Sequence, residues 1–318
     1  MTRDADPAPA APAVEPAVQP PDVWFELRIE EPAGPGLQRV ALEQVDLITW
    51  HAARVEFGDL HVHGVRKTSK RVRAVLRMIR DELGEVSYRR DNAMVRDVAR
   101  ELSPLRTAAV ELEILDSLGV WLPELASSAA GLRDRLVAQT DRIRAAMFTE
   151  SWLIDDLIAR LEQARTSIAA WQLPTDLIPT AHGLGHTYRH GRRGMRRAYA
   201  AGGAEGFHDW RKRVKYLRHQ MEILGPILPD SDPSMAAELA TLGEGLGLEH
   251  DLADLAHTVA ATPAAFTSRV EHNKLLDAIT ERRRVLREDL QPLGERSYAP
   301  RPDEFTKELT NRWVHWRR

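Results

Sequence analysis

The sequence predicts an all-α protein made of two similar helical bundles joined by a proline-containing linker. Three observations carry that expectation. Nearly every apolar pattern in the 318 residues recurs at helical spacing, with glycine or proline at its stops, and almost nothing reads as strand. One basic helical pattern occurs twice. Between the copies, Gln172-Leu-Pro174-Thr-Asp-Leu-Ile-Pro179 carries two prolines, which end the helix before them.

Taken in order, residues 1–21 are rich in Ala and Pro with few large apolar side chains, the composition of a disordered tail. Val23 to Glu31 has the look of a short strand, stopped by Pro32-Ala-Gly-Pro-Gly36. Helical spacing runs from Leu42 to Phe57, and Gly58-Asp59 breaks it and caps the next helix, which continues to about Leu83. A helix from Val86 to Leu102 carries Arg89, Arg90, Arg96 and Arg100 and is interrupted at Pro104. Leu105 to Leu118 follows, and Leu132 to Trp171 is one long helix or two. These make a first half over 22–171 with about five helices, then a linker over 172–183. The second half, 184–318, reads as helices over Leu184–Ala201, Phe207–Leu224, Met235–Leu246, Glu249–Val259, Val270–Leu290 and Asp303–Arg318.

Composition narrows the class. A hydrophobic content of 43% with 29% charged residues is that of a folded soluble protein. The net charge is only −3, but it is segregated, with basic blocks at 63–80, 187–197 and 208–218. The absence of cysteine excludes disulfides, zinc–thiolate sites and cysteine nucleophiles, and fits a reducing compartment. No uncharged stretch reaches the ~18 residues of a spanning helix, and the start has no apolar signal core. A cytoplasmic protein is expected.

The chemistry lies in the repeated pattern. His63, Arg66, Lys67, Lys70 and Arg73 fall at helical offsets 0, 3, 4, 7 and 10, and so do His208, Arg211, Lys212, Lys215 and Arg218, 145 residues later. Val65, Val72, Leu76 and Ile79 in one copy, and Trp210, Val214, Leu217, Met221 and Leu224 in the other, supply the opposite apolar face. No acid occurs between Leu60 and Arg80. Like charges at these spacings repel one another. Two copies held in one register therefore point to an anion supplied from outside rather than to a solvated surface. A third run, Arg189, Arg192, Arg193 and Arg196, repeats the spacing with no basic counterpart in the first half. Arginine's planar fork suits phosphate oxygens, and lysine adds a point charge.

Two other classes stay open on the residues alone. His208-Asp209 and His250-Asp251 permit a metal-dependent phosphohydrolase, although a metal at His208 would compete with the neighbouring cations. A helical nucleic-acid binder is the other, but aromatics at 6% of the chain are too few for a base-stacking platform. No phosphate-binding glycine loop or serine nucleophile elbow is present, and no catalytic or metal-ligating set stands out.

These motifs resemble the CHAD family, the conserved histidine α-helical domain. The resemblance rests on the two His-x-x-Arg-Lys-x-x-Lys-x-x-Arg helices, the Tyr188-Arg189-x-x-Arg192-Arg193 run, Leu246-Gly-Leu-Glu-His250-Asp251 and the closing Trp313-Val-His-Trp316-Arg, and covers residues 40–318. It implies two pseudo-symmetric four-helix bundles flanking a basic central groove that binds inorganic polyphosphate. With the residues read above, no cofactor and no membrane are expected, nucleic acid is the less favoured partner, and the cytoplasm, with polyphosphate granules, is the expected location. The implied binding set is the ten stripe residues and the four arginines above, together with Arg77, Arg106 and His250. The first copy of the Leu-Gly-x-x-(Arg/His)-Asp element departs from the pattern, reading Leu102-Ser-Pro-Leu-Arg106-Thr107. With no basic helix beside it either, the first wall of the groove is expected to be the weaker. No CYTH-type catalytic domain precedes the match, so a fused triphosphatase is not expected.

Overall fold

The computed structural model describes residues 19–316 apart from 55–57, 122, 124–128, 150–151, 177–179 and 228–233. Most of the expected tail therefore lies outside the described residues. Among those described, every regular element is helical and there is no strand. Residues 19–31 do not form the expected strand and turn at 29–30, where the Glu31 N–H donates to Arg28 O. Their Leu27 N–H donates to Ile223 O at 3.0 Å, and Phe25 and Leu27 are buried. Arg39 holds this segment through Glu31, Glu43 and the Trp24 and Glu26 carbonyls.

Helix α1 spans Ala33–Ala52 and so begins inside the Pro-Gly run that the sequence reading took as a breaker. Pro35 lies in the first turn, where its missing N–H has no intrahelical partner to lose. Gly34 is required there: a Cβ would stand 2.1 Å from Pro174 O. Helix α2 (Asp59–Met78) stops earlier than the expected Leu83, and α3 (Arg80–Glu101) follows at once, bent at Gly84 with φ 72°. After α4 (Ser103–Trp121), the long amphipathic stretch is two helices, α5 (Ala130–Phe148) and α6 (Trp152–Ala169).

Helix α7 (Ala181–Ala201) ends at Gly202 in the left-handed conformation, φ 67°. Helix α8 (Ala204–Ile223) follows. Helix α9 is continuous over Ser234–Ala261, although Gly247 was expected to divide it. Gly245 serves packing, since a Cβ there would meet Leu290 Cδ2 at 2.5 Å. Helix α10 (Arg269–Ser297) is capped by Ser268 Oγ, which accepts from the Glu271 N–H, and α11 (Pro302–Trp316) closes the fold.

Helices α1, α2, α3 and α6 pack side by side, as do α7, α8, α9 and α11 in pairs, with α10 along α9. One contiguous apolar core joins both groups: Val72, Val75 and Leu76 of α2 belong to it with Leu184 and Tyr188 of α7 and Trp210 and Leu217 of α8. A smaller core brings Leu115 of α4 and Leu132 and Leu136 of α5 onto Leu255 of α9 and Ile279 of α10. The central contact is α2 against α8, and it is reciprocal. Arg77 stacks on Tyr216, its guanidinium 3.6 Å from the ring centre, while Arg71 stands 3.9 Å from Glu222. Arg71 and Tyr216, and likewise Arg77 and Glu222, are separated by the 145 residues of the repeat.

Candidate functional site

The apolar faces of α2 and α8 are buried as their spacing requires: Val65, Val72, Leu76, Val214 and Leu217 are fully enclosed. That fixes the cationic faces, and packing α2 on α8 brings them together. The charges acting on Lys70 are Lys215, Arg66 and Arg211, opposed by Asp251; those on Lys215 are Arg211, Arg218 and Arg66, again opposed by Asp251. Burial is the largest influence on both, and with the like charges it pushes Lys70 down to about 7 and Lys215 to about 8. Among the described residues, neither ammonium has a hydrogen-bond or ion-pair partner.

The two arginines beside them are held differently. Arg66 donates to Ala99 O at 3.0 Å and to Ser103 Oγ, both neutral acceptors at the α3–α4 junction. Arg211 faces a carboxylate, Asp251 Oδ1, at 3.9 Å, and its buried Nε has no hydrogen-bond partner among the described residues. Ser103 and Gly247 occupy matching places in the two elements, and a Cβ on Gly247 would lie 4.0 Å from Arg211 Nε. The departure from the motif at Ser103 thus supplies Arg66 with a partner that costs it no charge. At the other departure, Thr107, the first half has no counterpart of Asp251.

The histidines line the same cluster. Burial first, then Arg106, Lys70 and Lys67, lowers His63 below its ordinary value. Burial, Lys212 and Arg211 do the same to His208. His208 and His250 bring their Nδ1 atoms to 3.1 Å, and burial with Arg211 and His208 pushes His250 down to about 3. Arg106, in the place of His250, pairs with Glu113 at 3.2 Å and acts on His63, Arg66 and Asp251.

Outside this cluster the predicted residues divide. Lys67 is exposed, and Lys212 pairs with Asp209 at 3.0 Å. Arg218 is bound to Glu222 at 2.9 Å and lies 3.8 Å from Glu244. Arg73 donates to Asn92 Oδ1 at 3.0 Å, and Arg77 donates to Arg73 O at 2.8 Å. The four arginines of α7 do not act as one stripe. Arg192 donates to Tyr298 O at 3.0 Å, Arg189 stands 3.6 Å from Asp303, and Arg193 and Arg196 are exposed. Arg189 and Arg193 act on His190 together with Arg213 of α8, so this side of α7 meets the Arg213 side of α8 and not that of Arg211.

Ser103, Asn92, Tyr216 and Asp251 contact predicted cations of α2 and α8, and none was among the predicted binding residues. For Asn92, no signal in the sequence pointed to it. Asp251 was visible in its motif, but its place beside Arg211 depends on how α9 packs against α8. The two His-Asp dipeptides are engaged elsewhere, with His208 on His250, Asp209 on Lys212 and Asp251 on Arg211. Among the described residues, no group of His, Asp and Glu is arranged to hold a metal ion, and no helix is long and apolar enough to cross a membrane.

By fold and site this is an all-helical protein that turns two copies of one cationic helix toward each other. The family described as CHAD domain matches residues 39–260, and the chain belongs to it. No curated protein matches the chain.

Proposed function

We propose that the protein binds inorganic polyphosphate in a basic groove along α2 and α8, and does not hydrolyse it. The observation that supports this most is the meeting of Lys70 with Lys215 beside Arg66 and Arg211. Cations that are desolvated next to one another destabilise the empty protein, and a polyanion between them removes both penalties. Polyphosphate carries about one charge per unit on a flexible chain, so charge pairing and counterion release supply the affinity. From His63 to Arg77 the stripe is about 21 Å long by helical rise, enough for several phosphates in a row. His63 and His208 join as donors once protonated. In a cell the corresponding place is the cytoplasm, at polyphosphate granules.

The acids assign unequal weight to the walls. Arg211, Lys212 and Arg218 each face a carboxylate, whereas Arg66 is held by neutral oxygens. On this reading the α2 wall is the stronger, against the ranking expected from the sequence, although Arg71 and Arg106 on its side also face Glu222 and Glu113.

Titration of the protein with long-chain polyphosphate and with single-stranded DNA of equal charge, at 0.15 M salt, tests the reading. Tighter binding of polyphosphate is expected, with no orthophosphate released in the presence of Mg²⁺ or Mn²⁺. Preference for DNA would establish a nucleic-acid binder instead. Steady phosphate release abolished by Asp209→Asn or Asp251→Asn would establish a phosphohydrolase.

A further inference from the structure

Resting on the polyphosphate reading, we propose that Asp251 is a built-in competitor for the polyanion: it occupies Arg211 in the empty groove and must give way when phosphate binds. Asp251 Oδ1 stands 3.9 Å from Arg211 and is the carboxylate that acts on Lys70 and Lys215 alike. It also acts across the cluster on Arg106 of α4. One negative charge therefore serves four cations from three helices, the role a bound phosphate would take.

Asp251 is only partly suited to be a structural partner. A distance of 3.9 Å is beyond hydrogen-bond range, and Arg211 Nε stays without a partner. Burial raises the Asp251 carboxyl despite four nearby cations, so this carboxylate is held at a cost. The other half of the molecule shows that the fold does not require it. Ser103 and Thr107 stand in α4 where Gly247 and Asp251 stand in α9, and there Arg66 is secured by Ala99 O and Ser103 Oγ alone.

An entering phosphate meets repulsion from Asp251 and competes with it for Arg211. Affinity is thereby held below what the cations alone would give. As a phosphate leaves Arg211, the tethered carboxylate can recapture the guanidinium at once, which speeds release.

The test compares the parent with Asp251→Asn and with Thr107→Asp, which places a carboxylate at exposed Thr107, the matching position of the first element. Long-chain polyphosphate is titrated across a salt series, and dissociation is followed by stopped flow. Asp251→Asn should bind roughly tenfold tighter, dissociate more slowly, and show a salt slope steeper by about 0.7, the increment for one more phosphate engaged. Thr107→Asp should bind roughly tenfold more weakly. A folded Asp251→Asn that binds no tighter overturns the proposal, and so does an unchanged Thr107→Asp, which alone decides the matter if Asp251→Asn does not fold. A parent that fails to bind polyphosphate rejects the function proposed above and this inference with it; a parent that binds while both variants match it rejects only the role of Asp251.

Discussion

At Lys70 and Lys215, burial and like charge act in the same direction, and the effect is a stability that depends on pH. Both folded values, about 7 and about 8, lie below the ordinary 10.5, so the unfolded chain binds these protons more tightly. Their contribution is complete above about 10.5 and is lost as pH falls to 8 and then 7. Thermal melts of the free protein should therefore shift upward between about pH 7 and 9. Saturating polyphosphate should flatten that rise, because the anion keeps both lysines charged. Affinity should fall over the same interval, since binding takes up protons, and should rise further below the histidine range near ~6.5 as His63 and His208 become protonated. A binding constant independent of pH would remove lysines and histidines alike from the contact. Lys70→Met should stabilise the free protein by about 1–3 kcal/mol and weaken polyphosphate binding at least about tenfold; a lower melting temperature would show that the half-buried ammonium is satisfied. These cations were legible because helical spacing alone puts them on one face. The partners Ser103 and Asn92 were not, because their roles depend on which helices become neighbours.

Between elements, the reciprocal contact of α2 and α8 makes charge reversal unusually informative. Arg66→Glu with Lys70→Glu places carboxylates opposite Arg211 and Lys215, so the fold should gain cross-helix ion pairs while binding collapses. Arg211→Glu with Lys215→Glu should weaken binding less, since that wall already carries Asp251 and Glu222. Equal or opposite ranking in titrations would refute the unequal walls. A second contact tests the α7–α2 junction. A Cβ on Gly183 would stand 2.2 Å from Met78 O, a backbone atom with nowhere to move, so Gly183→Val should cost at least about 2 kcal/mol in denaturant melts. Most helices were legible as periodic runs with Gly and Pro at their ends. The start of α1 and the continuity of α9 were not. Pro35 and Gly247 act as breakers in an isolated chain but here occupy a first turn and the flank of Arg211. Residues 23–31 carry β-prone side chains, yet among the described residues no neighbouring strand exists to complete a ladder, and the buried Leu27 anchors to the end of α8 instead.

For the whole molecule, the proposed groove with two walls predicts strong dependence on ligand length and on salt. Chains too short to touch both α2 and α8 should bind far more weakly than long ones, because the second engagement is intramolecular. With about eight phosphates neutralised, log affinity should fall by about five to six per decade of salt, and a slope near one would exclude an extended contact. The shared core of Val72, Leu76, Tyr188 and Trp210 leads to a single melting transition for both halves. A helix meeting its own copy in reciprocal register has the form of a homodimer interface. In a true dimer every substitution appears twice, so an acid set against one arginine is set against both. Linking the copies in one chain lifts that constraint. On the proposed function, one wall keeps more of its charge to capture the polyanion while the other, carrying Asp251, is tuned to let it go.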